Sequence, residues 1–170
     1  MRPPGKIKRK FRNTPGHSHY YTTSTDRRKP FLKDDRVCQA LADRINKAAE
    51  KHNFVILAYV FMPYHIHLLI HPLNDIYSME TIAKAIKQGV SKMSKSRKWI
   101  STDLWEVGGG YDRNIFSEKA RSDSIQYIHR NPVVKLMVDS SVDYFWSSAN
   151  WYHTGQEGAI KCRFYSTLNE

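Results

Sequence analysis

Two spacings of apolar residues run along this chain. Val37, Leu41, Ile45 and Ala48 recur at helical intervals behind Asp34 or Asp35, either of which can cap a helix. The stretch from His19 to Thr25 is rich in strand formers. Phe54 to Phe61 and His65 to Ile70 read as two strands joined at Met62-Pro63-Tyr64. Ser78 then starts a second helix through Ile82, Ala85, Ile86 and Val90. Trp105 to Phe116 is extended around Gly108-Gly109-Gly110, and a third helix runs from about Glu118 until Pro132 stops it. This βαββα order, followed by a strand and a helix, predicts an α+β packing of sheet and helices.

The alternation of a strand gives His65 and His67 a chemical meaning. Side chains two apart share a face, so the two imidazoles point together while Ile66 and Leu68 point away. Their Cα atoms should lie about 6.6 to 7 Å apart, within reach of one metal ion; His71, about 13 Å beyond His67, is too far to join them. On the third helix Tyr127 and Asn131 are four residues apart and share a face about 6 Å apart along the axis, with Ile125 and Ile128 packing inward. A strand histidine is more often structural, a helix tyrosine more often a core aromatic, and Asn131 could merely cap the helix before Pro132. Tyr20, Tyr21, Tyr111 and Tyr144 compete with Tyr127 as a nucleophile, but none has the same helical partner.

Composition adds a partner class. Among 170 residues, 27 Lys+Arg against 16 Asp+Glu give a net charge of +11, with 12% aromatic residues. A polyanion such as nucleic acid fits that balance, although charge attracts phosphates without specifying chemistry. Lys84, Lys87, Lys92, Lys95, Arg97 and Lys98 could line a DNA groove or simply solvate a helix face. No apolar run approaches the roughly 20 residues of a membrane span, which predicts a cytoplasmic protein with no membrane partner. Cys38 and Cys162 lack the spacing of a zinc site or disulfide framework and read as reduced packing residues. We expect a flexible basic arm over residues 1–18, one domain over 19–150 and a C-terminal extension over 151–170.

Four segments taken together carry a resemblance: Met62-Pro-Tyr-His65-Ile-His67-Leu-Leu, Leu104-Trp105-Glu with Tyr111-Asp-Arg113, Tyr127-Ile-His-Arg-Asn131-Pro-Val, and Asp143-Tyr-Phe-Trp146-Ser-Ser148. They resemble the HUH single-tyrosine transposases, in particular the REP-associated tyrosine transposases. Tyr64 stands where that family usually has Asn, and Glu106 where it has Gln. The resemblance implies a ferredoxin-like antiparallel sheet with helices packed on one face. It implies a divalent metal ion, magnesium or manganese, held by His65, His67 and Asn131. It also implies attack by Tyr127 on single-stranded, hairpin-forming repeat DNA, giving a 5′-phosphotyrosine and a free 3′-hydroxyl. Trp105, Tyr111, Arg113 and Arg130 become DNA-binding candidates, with core packing an equal reading for Trp105 and a structural turn for Asp143 to Ser148. Insertion-sequence relatives assemble as dimers that exchange the tyrosine, so a homodimer is possible, though no distinctive swap segment stands out.

Other classes fit less well. A phenol is protonated at neutral pH and needs a base, and no residue announces itself as one. Histidine-triad hydrolases need a third alternating histidine where Leu69 stands, and two-histidine phosphoesterases need a second His-x-Thr/Ser motif that His52, His129 and His153 do not supply. The remaining alternative is a hairpin-binding protein on the same fold whose tyrosine is idle.

Overall fold

The structure, a computed structural model, describes residues 11–108 and 110–168. Four strands form one antiparallel sheet: β1 (Ser18–Ser24), β2 (Phe54–Met62), β3 (His65–Pro72) and β4 (Tyr111–Ile115), in the order β2-β3-β1-β4. This is the ferredoxin-like order: β1 and β2 are joined through helix α1 (Asp35–His52), and β3 fills the gap between them. The link from β3 to β4 carries α2 (Met79–Lys87) and α3 (Val90–Ser96); α4 (Glu118–Val134) and the short α5 (Ala149–Thr154) follow.

Three of the helices start where a side chain satisfies an orphan backbone donor. Asp34 accepts from the Arg36 amide at the start of α1, Ser78 from Thr81 at α2, and Ser117 from Ala120 at α4. The helix expected to run from Ser78 through Val90 is broken at Gln88-Gly89: Gly89 has φ 86°, a left-handed conformation that ends α2, and α3 restarts at Val90. Pro132 does not stop α4, which continues to Val134. A proline this near the end removes a single intrahelical donor, and Lys135 and Met137 still donate to the carbonyls of Asn131 and Pro132.

The expectation that helices cover one face needs correction. Helices α1, α2 and α3 pack with Tyr21, Ile56, Tyr59, Phe61, Ile66, Leu68 and Ile70 on one side of the sheet. On the other side α4 seats Ile128, fully buried, against Val60, Met62, Leu69 and Tyr20, with Ile125 partly buried beside it. Burying a side chain of this size contributes roughly 1.5–3 kcal/mol. All nine residues of β2 are buried, as a strand covered on both faces requires.

The flanking segments also join the domain. The first ten residues of the expected arm lie outside the described residues, but Phe11 packs on the core, Asn13 Oδ1 accepts from the Met79 amide and Thr14 O accepts from the Tyr77 hydroxyl. Ser18 already belongs to β1, and the contacts of Phe11, Asn13 and Thr14 tie the stretch before it to the domain. Beyond residue 150, Ile160 is buried and the Arg163 amide donates to Ile56 O. Residues 146–148 and 162–163 cover the outer edge of β2, with bridges at Val60↔Ser147 and Ile56↔Cys162, removing an exposed strand edge. Tyr144 donates to Phe61 O and Ser148 Oγ accepts from the Tyr59 amide, so the Asp143 to Ser148 segment braces this edge. Both cysteines are free thiols. No helix among the described residues is long and apolar enough to cross a membrane.

Candidate active site

The histidine pair lies on the sheet face that α4 covers. In β3, Ile66, Leu68 and Ile70 enter the core beneath α1 and α2, which turns His65, His67, Leu69 and His71 to the opposite side. The rings of His65 and His67 meet edge to face, 4.7 Å between centroids. His71 is taken up elsewhere, with Nδ1 2.9 Å from Ser18 Oγ and its ring against Tyr165.

Helix α4 brings Tyr127 and Asn131 to this pair within one chain. The Tyr127 ring stands 5.7 Å from that of His67 and is 58% exposed, so its hydroxyl is open to a ligand from solvent. One turn on, buried Asn131 places Nδ2 3.2 Å from His67 Nε2.

On its other side, His67 Nδ1 lies 2.8 Å from the Tyr20 hydroxyl and 2.7 Å from Thr22 Oγ1. With the amide of Asn131 facing Nε2, that nitrogen must accept, so Nδ1 carries the proton and donates towards the two hydroxyls. Nε2 thus keeps its lone pair on the side of the site where Asn131 lies. Burial pushes the His67 pKa down to about 3, with His65 adding to the effect. Burial, then the charges of Arg28 and Lys135, lower His65 to about 4. Both imidazoles are neutral at pH 7, the state in which they ligate metals.

Two buried polar atoms here meet no hydrogen-bond partner: His65 Nδ1 and Asn131 Oδ1. Orphans of this kind are rare and call for a partner such as a water, a ligand or an ion. Two imidazoles and an amide oxygen fit a divalent cation of the manganese or zinc type better than one demanding only oxygen ligands. Among the described residues no group of three or more His, Cys, Asp or Glu is placed to hold a metal.

The remaining sequence candidates divide. Tyr111 and Arg113 lie on the α4 side of β4, paired in register with Thr22 and Tyr20, and the Arg113 guanidinium is 5.6 Å from the Tyr20 ring. Arg130 is exposed on α4 beside Asn131. Trp105 is only 8% exposed and belongs to the core beneath α1 and α2, so its side chain packs away from the histidine face. Among the competing tyrosines, Tyr21 is buried in that same core. Tyr20 does enter the site, as a partner of His67, and burial raises its pKa to about 12. The lysines of α2 and α3 also lie across the sheet: Lys84 pairs with Glu80, Lys95 with Asp103, and Lys87 donates to Gly108 O.

Tyr20 and Thr22 were missed as supports of His67. The register of β1 on β3 sets Thr22 directly opposite His67, and strand pairing across this distance is not written in either segment alone.

The family profile described as transposase IS200 like matches residues 16–131. A solved REP-associated tyrosine transposase bound to a REP hairpin is similar over 92% of this chain and 91% of its own, with TM-score 0.73 and 18% identity. A crystal structure of a putative transposase from Deinococcus radiodurans R1 covers 72% of this chain and 96% of its own, with TM-score 0.47 and 22% identity. No curated protein matches the chain. Matched from Gly16, just ahead of the first strand, to Asn131 on the helix that carries Tyr127, this chain belongs to the IS200-like transposases.

Proposed function

We propose that this protein cleaves and rejoins single-stranded DNA at hairpin-forming repeats, with Tyr127 as nucleophile. The observation that carries the reading is the convergence on His67 of Tyr127 and Asn131, from one helix face, at 5.7 Å between rings and 3.2 Å between polar atoms. The solved relative bound to a REP hairpin supports the choice of DNA.

In this reading His65, His67 and Asn131 would hold a divalent ion, magnesium or, better suited to two imidazoles, manganese, which when bound would supply Lewis-acid polarisation of the scissile phosphate. Tyr20 and Thr22 hold the His67 ring and its tautomer, as outer partners of metal-ligating histidines do. The exposed Tyr127 hydroxyl attacks phosphorus; a bond forms between its oxygen and phosphorus, and the bond from phosphorus to the 3′ oxygen breaks. The phenolic proton leaves to solvent or the departing oxygen, and the products are a 5′-phosphotyrosine and a strand ending in a 3′-hydroxyl. Attack by a 3′-hydroxyl on the phosphotyrosine reverses the step and joins strands.

The test is incubation with single-stranded hairpin oligonucleotides and manganese, scored for a denaturation-resistant protein–DNA adduct. An adduct lost in Tyr127→Phe supports the reading. Tight binding without any adduct across a hairpin library would instead make the protein a binder on this fold, and an adduct surviving in Tyr127→Phe would move the nucleophile.

A further inference from the structure

The His65 end of the site carries cations that the cleavage reading does not use. Arg27 and Arg28, directly after β1, both adopt left-handed conformations, φ 49° and 54°. Such a conformation is strained for a residue with a Cβ, and such strain concentrates where a segment is held for function. The strain is held in place by neighbours: Thr25 binds Tyr64 O through both its amide and its Oγ1, while Oγ1 also donates to Lys29 O. The result sets the Arg28 guanidinium 4.5 Å over the Tyr64 ring, which in turn meets the His65 ring at 5.5 Å. From the other side comes Lys135. It stands at the C-terminus of α4, its amide bonded to Asn131 O, and so continues the Tyr127, Asn131 stripe by another turn. Arg28 and Lys135 are exposed, and among the described residues neither is in an ion pair.

We infer that Arg28 and Lys135 form a phosphate clamp for the single strand beside the cleaved position, with Tyr64 as the residue that positions the Arg28 guanidinium. The inference rests on the cleavage reading for its substrate, single-stranded DNA, but makes its own demand on binding. A guanidinium held on an aromatic face keeps its outer donors free and loses less freedom on meeting a phosphate. Lysine at the other side adds a point charge. The clamp reads backbone, not sequence.

The experiment measures binding of a fluorescein-labelled hairpin oligonucleotide with a single-stranded flank, in EDTA, from about 50 to about 200 mM salt. Each phosphate contact in a single strand contributes about 0.7 to the slope of log affinity against log salt. Arg28→Ala and Lys135→Ala should each lower the slope by about that amount, whereas Lys51→Ala, an exposed cation on α1 across the sheet, should leave it alone. Tyr64→Phe should bind as the parent does and Tyr64→Asn should weaken binding as Arg28→Ala does. Slopes unchanged in both cation variants, or lowered equally by Lys51→Ala, overturn the clamp, as does a parent protein that does not bind the oligonucleotide. The Tyr127 adduct, assayed separately with manganese, reports on cleavage alone. Unchanged slopes with an adduct remove the clamp and leave cleavage standing; lowered slopes without an adduct keep the clamp on a protein that only binds.

Discussion

Asn131 turns Nδ2 towards His67 Nε2 at 3.2 Å while its own Oδ1, buried, meets nothing. An amide so placed has an acceptor left to give. Asn131→Ala should therefore weaken manganese binding by at least the roughly tenfold to 100-fold that loss of a partner around a metal commonly costs, and Asn131→Asp, which supplies a charged oxygen, should restore it. Isothermal titration with manganese measures both; equal affinities in all three proteins would remove Asn131 from the site.

Thr22 and Tyr20 share His67 Nδ1. Thr22→Val and Tyr20→Phe together should free the ring to change tautomer and lower manganese affinity by about ten to 100-fold, without loss of fold. The nitrogen shifts of 15N-labelled His67 should show one tautomer in the parent and a mixture in the double variant. A single unchanged tautomer would mean that other contacts fix the ring.

Burial holds His67, His65 and His129 well below the ordinary histidine range, to about 3, 4 and 4. The unfolded chain therefore binds protons that the folded chain refuses between about pH 6.5 and pH 4. The stabilisation is complete above the unfolded value near 6.5 and is lost as pH falls towards the folded values. For metal-free protein, each histidine contributes a slope of up to roughly 1.4 kcal/mol per pH unit in that window. Guanidinium unfolding at about pH 7.5, 6 and 5 should show falling stability, and His129→Gln should flatten the decline.

Gly110 has φ 80°, and a Cβ there would sit 2.5 Å from Thr22 O and 3.0 Å from the Tyr21 hydroxyl oxygen. Gly110→Ala should cost on the order of 1–3 kcal/mol and, by displacing Thr22, weaken manganese binding as well. Gly108→Ala also has a positive φ, but its Cβ would meet nothing within 4 Å; it should cost stability while leaving metal affinity intact. Thermal unfolding and titration of the two variants separate strain from the steric push on Thr22.

Trp105, suggested by its motif as a DNA contact, packs in the core. Trp105→Ala should destabilise by about 3–5 kcal/mol, and Trp105→Phe should keep both the fold and oligonucleotide affinity. A folded Trp105→Phe with sharply reduced binding would return the residue to the DNA surface.

What could be read in advance depended on how local the geometry was. His65 with His67 and Tyr127 with Asn131 are each set by the period of one element, so their spacing alone pairs them. Thr22 meets His67 only through the register of two strands 45 residues apart, which no local period encodes. The second helical layer had a sign that was passed over: Phe54 to Met62 is apolar at every position instead of every other one, as a strand sandwiched between two layers must be. The break at Gly89 was likewise visible, since a glycine inside a short apolar period is a weak point. Pro132 misled because a proline in the last helical turn forfeits so little.

The position of β3 inside the sheet has a consequence for motion. Its backbone is bonded to β2 on one side and β1 on the other, so the His67 amide should be among the last to exchange. Tyr127 rides instead on a helix laid over that sheet, its ring largely in water. The two halves of the site thus ride on different elements, and amides of α4 should exchange through openings that leave β3 closed.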